Sequence, residues 1–227
     1  MPADFVADRS RRALVVRGGW DGHVPVEATD AFLPFLKEKG FEVEISDSLD
    51  VYTDADRLAG NDLIVQCWTM GEASRDQVEG LTAAVRAGTG LAGWHGGIVD
   101  SFHNSPAYQW LTGGQFMQHP GGFIDYEVEI APERADHPIV ADISGPIALH
   151  TEQYWVLSDM LNDVLATTTF EPGADTDWHG TVTVPAVWTR QWGAGRIFVS
   201  TVGHKMDDFD VPEVRTLTER GLLWASR

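Results

Sequence analysis

The chain has 227 residues, of which 43% are hydrophobic and 22% are charged, so we expect a folded domain rather than a disordered chain. Its formal net charge is −18, and its 16 basic residues are scattered along the sequence. Nucleic acids and anionic membrane surfaces are therefore disfavoured as partners, because binding to them rests on clustered Lys and Arg. The single cysteine, Cys67, excludes an intramolecular disulfide and any zinc site built from several cysteines.

The chain is predicted to form one domain over residues 1–227, with residues 1–12 as a flexible leader. No segment approaches the ~18 consecutive apolar residues that a membrane span requires. The leader carries Asp4 and Asp8 and lacks the apolar core of an export signal, so we expect a cytoplasmic location.

Strand-type and helix-type segments alternate from the start. Residues 13–17 form a short apolar run stopped by two glycines, which is the pattern of a buried parallel strand. Residues 26–39 have helical spacing, but Pro34 lies inside them. Either the helix begins near Asp30 or it is kinked at the proline. Residues 41–45 alternate strictly between apolar and polar and indicate an outer strand.

The same alternation continues up to residue 94. Residues 62–68 and 90–94 have the composition of buried strands. Residues 74–87 have helical spacing, with Ser74 as the N-cap and Gly88 as the stop. Strands and helices in this order predict an α/β fold with a doubly wound, mostly parallel sheet and right-handed crossovers.

The second half of the chain is richer in strand patterns. The middle is irregular, with a short helix predicted near residues 106–111 and strands near 125–130 and 147–155. Further on, three more strands and a last helix are predicted, at residues 164–169, 182–189, 196–202 and 212–225. The C-terminal portion is therefore predicted to add β-structure to the parallel sheet.

Three histidines closely follow predicted strands: His23, His95 and His204. In open α/β sheets, ligands bind at the carboxyl ends of the strands. If these strands are parallel neighbours, the three imidazoles converge on one rim. Four of the remaining five histidines are interpreted as ordinary surface or hydrogen-bonded residues: His103, His137, His150 and His179.

Two further candidates lie in the irregular middle. His119 belongs to a loop whose Gly and Pro residues suggest a defined backbone path. Glu152 is surrounded in sequence by aromatic residues, and partial desolvation would raise the pKa of its carboxyl and suit it to general acid–base work.

Aromatic residues of the strand-end loops are candidates to line a substrate pocket. We select Trp20, Trp68 and Trp94, together with Asp21, although most Trp residues are expected in the core. The glycine-rich loop at residues 18–22 lacks both the dinucleotide-binding spacing and a following Lys-Ser/Thr pair. No nucleotide cofactor is therefore predicted.

Residues 90–97 resemble the strand–elbow–helix layout of the class I glutamine amidotransferase-like fold, in which the elbow carries a cysteine nucleophile. Here His95 occupies the elbow and Cys67 lies on the preceding strand, so glutamine hydrolysis by a thiolate is excluded. The more specific resemblance is to the ThuA-like (trehalose utilisation) family, and it covers nearly the whole chain in order. It is carried by residues 18–23, 93–97, 114–120, 137–139, 151–155 and 184–204.

This resemblance implies a flavodoxin-like sheet and a role in the catabolism of trehalose or related disaccharides, after their oxidation to 3-keto sugars. It also implies that Arg190 can reach a sugar hydroxyl. The family's polar positions are matched by His23, His95, His119, Glu152 and His204.

Histidines and one carboxylate suit a divalent metal ion such as zinc, manganese or iron. We expect some or all of the four histidines His23, His95, His119 and His204 to hold it, with or without Glu152. Glu152 or a free histidine would remove the proton α to the sugar ketone, and elimination, hydrolysis or isomerisation would follow.

Other functions remain open on the sequence alone. A metal-free enzyme would use His95 as the base, oriented by Glu152. A non-catalytic sugar-binding or regulatory module also accounts for aromatic walls, and a degenerate amidotransferase-like scaffold could serve protein contacts alone. The acidic surface is compatible with a monomer or a homodimer.

Overall fold

Strands and helices alternate in the first half of the chain, and strands dominate the second half. The computed structural model describes residues 10–174 and 176–227. These residues form eleven strands: β1 (Arg11–Gly19), β2 (Phe41–Ser46), β3 (Leu63–Thr69), β4 (Gly90–Trp94), β5 (Gly114–Gln118), β6 (Phe123–Ile130), β7 (Ile147–Glu152), β8 (Trp155–Ser158), β9 (Asp163–Phe170), β10 (Val182–Trp192) and β11 (Gly195–Ser200). They also form seven α-helices: α1 (Pro25–Asp30), α2 (Leu33–Glu38), α3 (Ala55–Ala59), α4 (Arg75–Ala87), α5 (Gly96–Val99), α6 (Pro106–Thr112) and α7 (Pro212–Ala225).

Nine of the strands form one mixed sheet in the order β2-β1-β3-β4-β11-β10-β9-β6-β7. The first five strands in this order pair in parallel, and the remaining pairs are antiparallel. The parallel core and its crossover helices confirm the predicted α/β class.

The two faces of the parallel core are both covered, because residues 13–16 of β1 and nearly all residues of β3, β4 and β11 are buried, whereas the edge strand β2 is partly exposed. In β1, Ala13 and Val15 pack against one apolar cluster, which also contains residues of α1, α2 and α7. Leu14 and Val16 point to the other face and pack with residues of α3, α4 and α6. A strand that buries both faces needs a continuous apolar run, and such a run is easily recognised in a sequence.

The helix predicted over residues 26–39 is two helices. α1 ends at Asp30, and α2 begins at Leu33 with Pro34 in its first turn. Proline fits there because its missing N–H would have no partner within the helix in any case. Further along, α4 begins after Ser74 as predicted, and Ser74 and Gln77 form a reciprocal capping box.

The β-rich part of the chain is only partly C-terminal. β9 and β10 extend the sheet as predicted, but β6 and β7 come from the middle of the chain, and β11 returns to the parallel core. The single strand predicted over residues 147–155 is two strands in different sheets, since β7 pairs with β6 whereas β8 pairs with β5.

Residues 11 and 12 of the predicted leader belong to β1. Residues 1–9 lie outside the described residues, and β1 already begins at Arg11. Within the described residues, no helix is long and apolar enough to cross a membrane.

Candidate functional site

Three histidine rings meet at the carboxyl edge of the parallel strands. His23 ends a 3-10 turn after β1, His95 directly follows β4, and His204 lies just after β11. The ring centroid of His23 lies 4.7 Å from that of His95 and 4.9 Å from that of His204, and the last two are 5.2 Å apart. All three residues are buried. The strand ends therefore bring these side chains together, as their positions in the sequence predict.

A carboxylate from the far end of the sheet joins them. Glu152 ends β7, and its Oε2 lies 3.2 Å from His95 Nε2 and 3.1 Å from His204 Nδ1. β7 is five positions from β4 in the strand order, so a flat sheet would separate them by about 24 Å. The antiparallel half must therefore curl back over the carboxyl edge, and β10 has register shifts around Val187 at which such a strand can bend.

His95 stands at a strained elbow. Its backbone has φ 47° and ψ −141°, a conformation that residues other than glycine rarely adopt. Its Nδ1 lies 2.8 Å from the carbonyl oxygen of Thr201. Because a carbonyl can only accept, the proton of the neutral ring is on Nδ1, and the lone pair is on Nε2. His95 Nε2 faces both Glu152 Oε2 and His204 Nδ1, the latter 3.3 Å away.

His23 is oriented by the end of β3. Its Nδ1 lies 2.9 Å from Thr69 Oγ1, which leaves Nε2 available. Gly96 permits the close approach of the ring, since a Cβ on it would lie 2.3 Å from His23 Cε1 and Nδ1. Burial, together with the charges of His95 and His204, lowers the pKa of His23 to about 3. The ring is therefore neutral at pH 7, which is the form that binds metals.

The electrostatics of the group favour a cation. Burial opposes ionisation of Glu152, but a hydrogen bond from His204 and the neighbouring ring of His95 outweigh it and hold the pKa of the carboxyl below its ordinary value. Burial also lowers the pKa of His95. At pH 7 an ionised carboxylate thus faces the lone pair of a neutral imidazole, an arrangement that a positive ion between them would stabilise.

The donor set fits a transition metal. One ligand atom from each of His23, His95, Glu152 and His204 lies within 4.8 Å of all the others. Three imidazoles and one carboxylate suit zinc, manganese or iron, and the contacts of His95 with Thr201 and of His23 with Thr69 are the outer hydrogen bonds that orient metal-binding histidines.

The model of the ThuA family, described as trehalose utilisation, matches residues 12–225. The chain belongs to the ThuA family. Its fold is similar to two solved ThuA-like proteins. One, from Bacteroides uniformis ATCC 8492, is 18% identical, with a TM-score of 0.77 over 99% of this chain and 95% of that chain. The other, from Parabacteroides merdae ATCC 43184, is 16% identical, with a TM-score of 0.72 over 96% of this chain and 90% of that chain.

A β-galactosidase from Bacillus circulans sp. alkalophilus shares the fold over part of its length. It is 12% identical, with a TM-score of 0.57 over 97% of this chain and 31% of that chain. At these identities the likeness of all three structures establishes a common fold alone. Among curated proteins, none matches the chain.

In this ThuA family member, His119, one of the four histidines predicted as metal ligands, lies outside the four-residue group. Its Nε2 is 3.7 Å from Glu152 Oε1, the carboxylate oxygen that does not contact His95 or His204. The loop between β5 and β6 carries His119 to the edge of the group, where its side chain stays partly exposed. Glu152, which is predicted as the base, is one of the four residues of the group.

The residues predicted to bind substrate separate into two sets. Trp20 is exposed, and its ring meets the edge of His23 at 4.8 Å, while Asp21 is exposed in the adjoining turn. Trp68 is partly exposed and packs near Gly18 and Gly71. These three residues remain candidates for substrate contacts.

Two other residues that are predicted to bind substrate are buried. Trp94 is buried between Phe32 and Phe209, with ring centroids at 5.1 and 5.7 Å, so it belongs to the core. Arg190 pairs with the start of β11, whereas the site lies beyond the end of that strand. Its buried guanidinium donates to Asn162 Oδ1 at 2.8 Å and therefore braces the loop before β9.

Several residues of the site escaped prediction. Thr69 ends β3, and its position at a strand end is the signal that could have identified it. Tyr154 stacks on His95 with centroids 3.8 Å apart, and no sequence pattern marks that contact. Asp100 is buried beside His103, whose Nε2 lies 2.8 Å from its carboxylate. Burial raises the pKa of Asp100 to about 6 although His103 opposes the shift.

Proposed function

We propose that this chain is an enzyme of carbohydrate catabolism that binds one divalent metal ion through His23, His95, His204 and Glu152. The observation that supports this most is the convergence of four ligand atoms within 4.8 Å at the carboxyl edge of the parallel strands. Family membership supports a carbohydrate as the substrate, and zinc, manganese and iron suit the donor set.

A keto sugar or its glycoside is the substrate class that we propose. A divalent ion, when bound, supplies a Lewis acid for a sugar carbonyl. His119 is then the group placed to accept the proton α to that carbonyl, because its ring is partly exposed and contacts the outer oxygen of Glu152. The carboxylate stabilises the imidazolium that forms, and elimination, hydrolysis or isomerisation can follow.

Elemental analysis tests the metal centre. Protein purified without chelators or affinity metals is expected to contain close to one transition-metal ion per chain, and His95→Ala is expected to lose it. His179→Ala is the matched control, because His179 is exposed and lies outside the group. A chain that takes up neither zinc nor manganese, even after incubation with excess ion, would refute the metal centre.

Deuterium exchange tests the proposed role of His119. A 3-keto disaccharide incubated with the protein in D2O should gain deuterium at the carbon next to the ketone, as followed by NMR. We expect His119→Gln to keep its metal and to slow this exchange by at least about tenfold, within the range of single acid–base groups. Unchanged exchange would remove His119 from the reaction.

A metal-free acid–base enzyme is the second candidate. The contact between His95 Nε2 and Glu152 Oε2 supports it, because such a pair can take up a proton from the substrate and hold it between the two atoms without an ion. Under this alternative, exchange would persist in protein stripped of metal and would be lost in Glu152→Gln.

A further inference from the structure

A cleft of about 500 Å³ opens beside the histidine group. Its floor consists of β6 and β9, and its wall is formed by Gly173, Thr176 and Trp178 from the segment that follows β9. This volume lies in the range of about 300–1,000 Å³ that is usual for small-molecule sites. The chemistry proposed for the histidine group makes no use of this cleft.

The cleft adjoins Glu152 and receives side chains from both faces of the sheet. Phe123 lies directly opposite Glu152 in the pairing of β6 with β7, and directly opposite residues of an antiparallel pair point to the same face. Asp125 and Glu127 follow Phe123 at intervals of two, so they also point to this face, and both line the cleft. Gln153, which directly follows Glu152 in the chain, also lines the cleft, so the cleft adjoins the end of β7 that carries Glu152.

Two polar groups in the cleft lack protein partners. Gln153 is 3% exposed, and its Nε2 donates to Thr168 Oγ1 and to the carbonyl of Thr169. This orients the side chain, and its Oε1 accepts no hydrogen bond from the described residues. The indole N–H of Trp178 is likewise buried without an acceptor in the described part of the chain. One free acceptor and one free donor suit a ligand that carries hydroxyl groups.

Aromatic rings supply the apolar part of the wall. Phe170 and Trp178 line the cleft, and both pack against Trp155, at centroid distances of 4.9 and 5.2 Å. These mutual contacts hold the rings in place before a ligand arrives, so little side-chain entropy is lost on binding.

The charge of the cleft is entirely negative. Four carboxylates line it, and no Lys or Arg is found among its described lining residues. The carboxylates are those of Asp125, Glu127, Glu129 and Glu171. An ionised carboxylate accepts hydrogen bonds from hydroxyls but repels a phosphate.

We propose that this cleft binds an uncharged sugar unit of the substrate and rejects phosphorylated sugars. The inference rests on the proposed function, because the histidine group would act on the adjoining unit. It assigns Gln153, Trp178 and Glu127 to the recognition of sugar hydroxyls.

Calorimetric titration with trehalose and with trehalose 6-phosphate tests this assignment. The wild type is expected to bind trehalose at least about tenfold more tightly than the phosphate. Trp178→Ala should weaken trehalose binding by about tenfold or more, whereas Trp110→Ala, at an exposed indole outside the cleft, should not. Glu127→Gln combined with Glu129→Gln should reduce the ratio of the affinity for trehalose to that for trehalose 6-phosphate. Because both side chains are exposed, folding should be unaffected.

The metal content of the same samples separates this proposal from the preceding one. Trehalose binding that depends on Trp178, in a protein that takes up no metal even from excess ion, would support the cleft and refute the metal centre. A metal-loaded protein that fails to bind trehalose, binds the phosphate equally well, or is indifferent to Trp178→Ala would overturn the cleft alone.

Discussion

Replacing Gly96 with alanine should disable the histidine group without touching any of its ligands. Gly96 begins α5, directly after His95, and the ring of His23 lies against it. The added methyl would lie 2.3 Å from His23 Cε1 and Nδ1 and 3.1 Å from Thr69 Cγ2. The ring cannot easily retreat, because Trp20, His95 and His204 surround it at centroid distances of 4.7–4.9 Å.

The magnitude follows from these distances. Carbon atoms in contact prefer about 3.5 Å or more, so the ring must move by about 1.2 Å from its 2.3 Å approach. Overpacking of this kind costs about 1–3 kcal/mol. For a domain of this size the cost corresponds to a fall in Tm of roughly 2–12 °C, at about 2–4 °C per kcal/mol. Ligand distances in metal sites tolerate only about 0.2 Å, so metal affinity should fall by at least about tenfold.

Calorimetric melting and metal titration of Gly96→Ala provide the assay. Gly60→Ala is the matched control, because Gly60 has φ −70° and a Cβ there would meet its nearest neighbours at an ordinary 3.4 Å. The control should keep its Tm and its metal affinity. If Gly96→Ala matched the wild type in both quantities, the position assigned to the His23 ring would be refuted.

Three further predictions concern other parts of the molecule. Ser74→Ala removes one half of the capping box of α4 and should cost about 1 kcal/mol in a denaturant melt, whereas an unchanged midpoint would contradict the role of the cap. Burial raises the pKa of Cys67 to about 12, so Ellman's reagent at pH 8 should label this thiol only after unfolding, and rapid labelling of the native protein would be the contrary result. Burial raises the pKa of Asp100 from 3.8 to about 6, so the folded state binds this proton more tightly than the unfolded state. The resulting stabilisation is complete below about pH 4 and is lost as the pH rises through about 6. Asp100→Asn should therefore remove this decrease in unfolding free energy with rising pH. Curves of unfolding free energy against pH that are parallel for the two proteins would contradict the prediction.

Local sequence patterns are sufficient to predict the parallel half of the fold. The strands that bury both faces are continuous apolar runs, and α4 carries its own cap and stop signals. Parallel strands present their carboxyl ends at one edge, so three histidines that follow such strands must lie near one another. Strand-end position alone therefore groups His23, His95 and His204.

The other parts of the site depend on contacts that no local pattern encodes. Glu152 reaches the histidines only because the antiparallel strands curl back across about five strand spacings, and a strand pattern does not specify which neighbour it pairs with. The same limit explains why β7 and β8 are predicted as one strand.

Side-chain direction is the second quantity that the sequence leaves open. Trp94 and Arg190 have residue types that suit sugar binding, but the packing of the sheet turns one into the core and the other away from the site. His119 lies 3.7 Å from the outer oxygen of Glu152, whereas the inner oxygen contacts the histidine group. Periodicity places a residue on a strand or in a loop, but only the packed tertiary structure sets angstrom-scale distances between side chains that are distant in sequence, and the chemistry of the site depends on those distances.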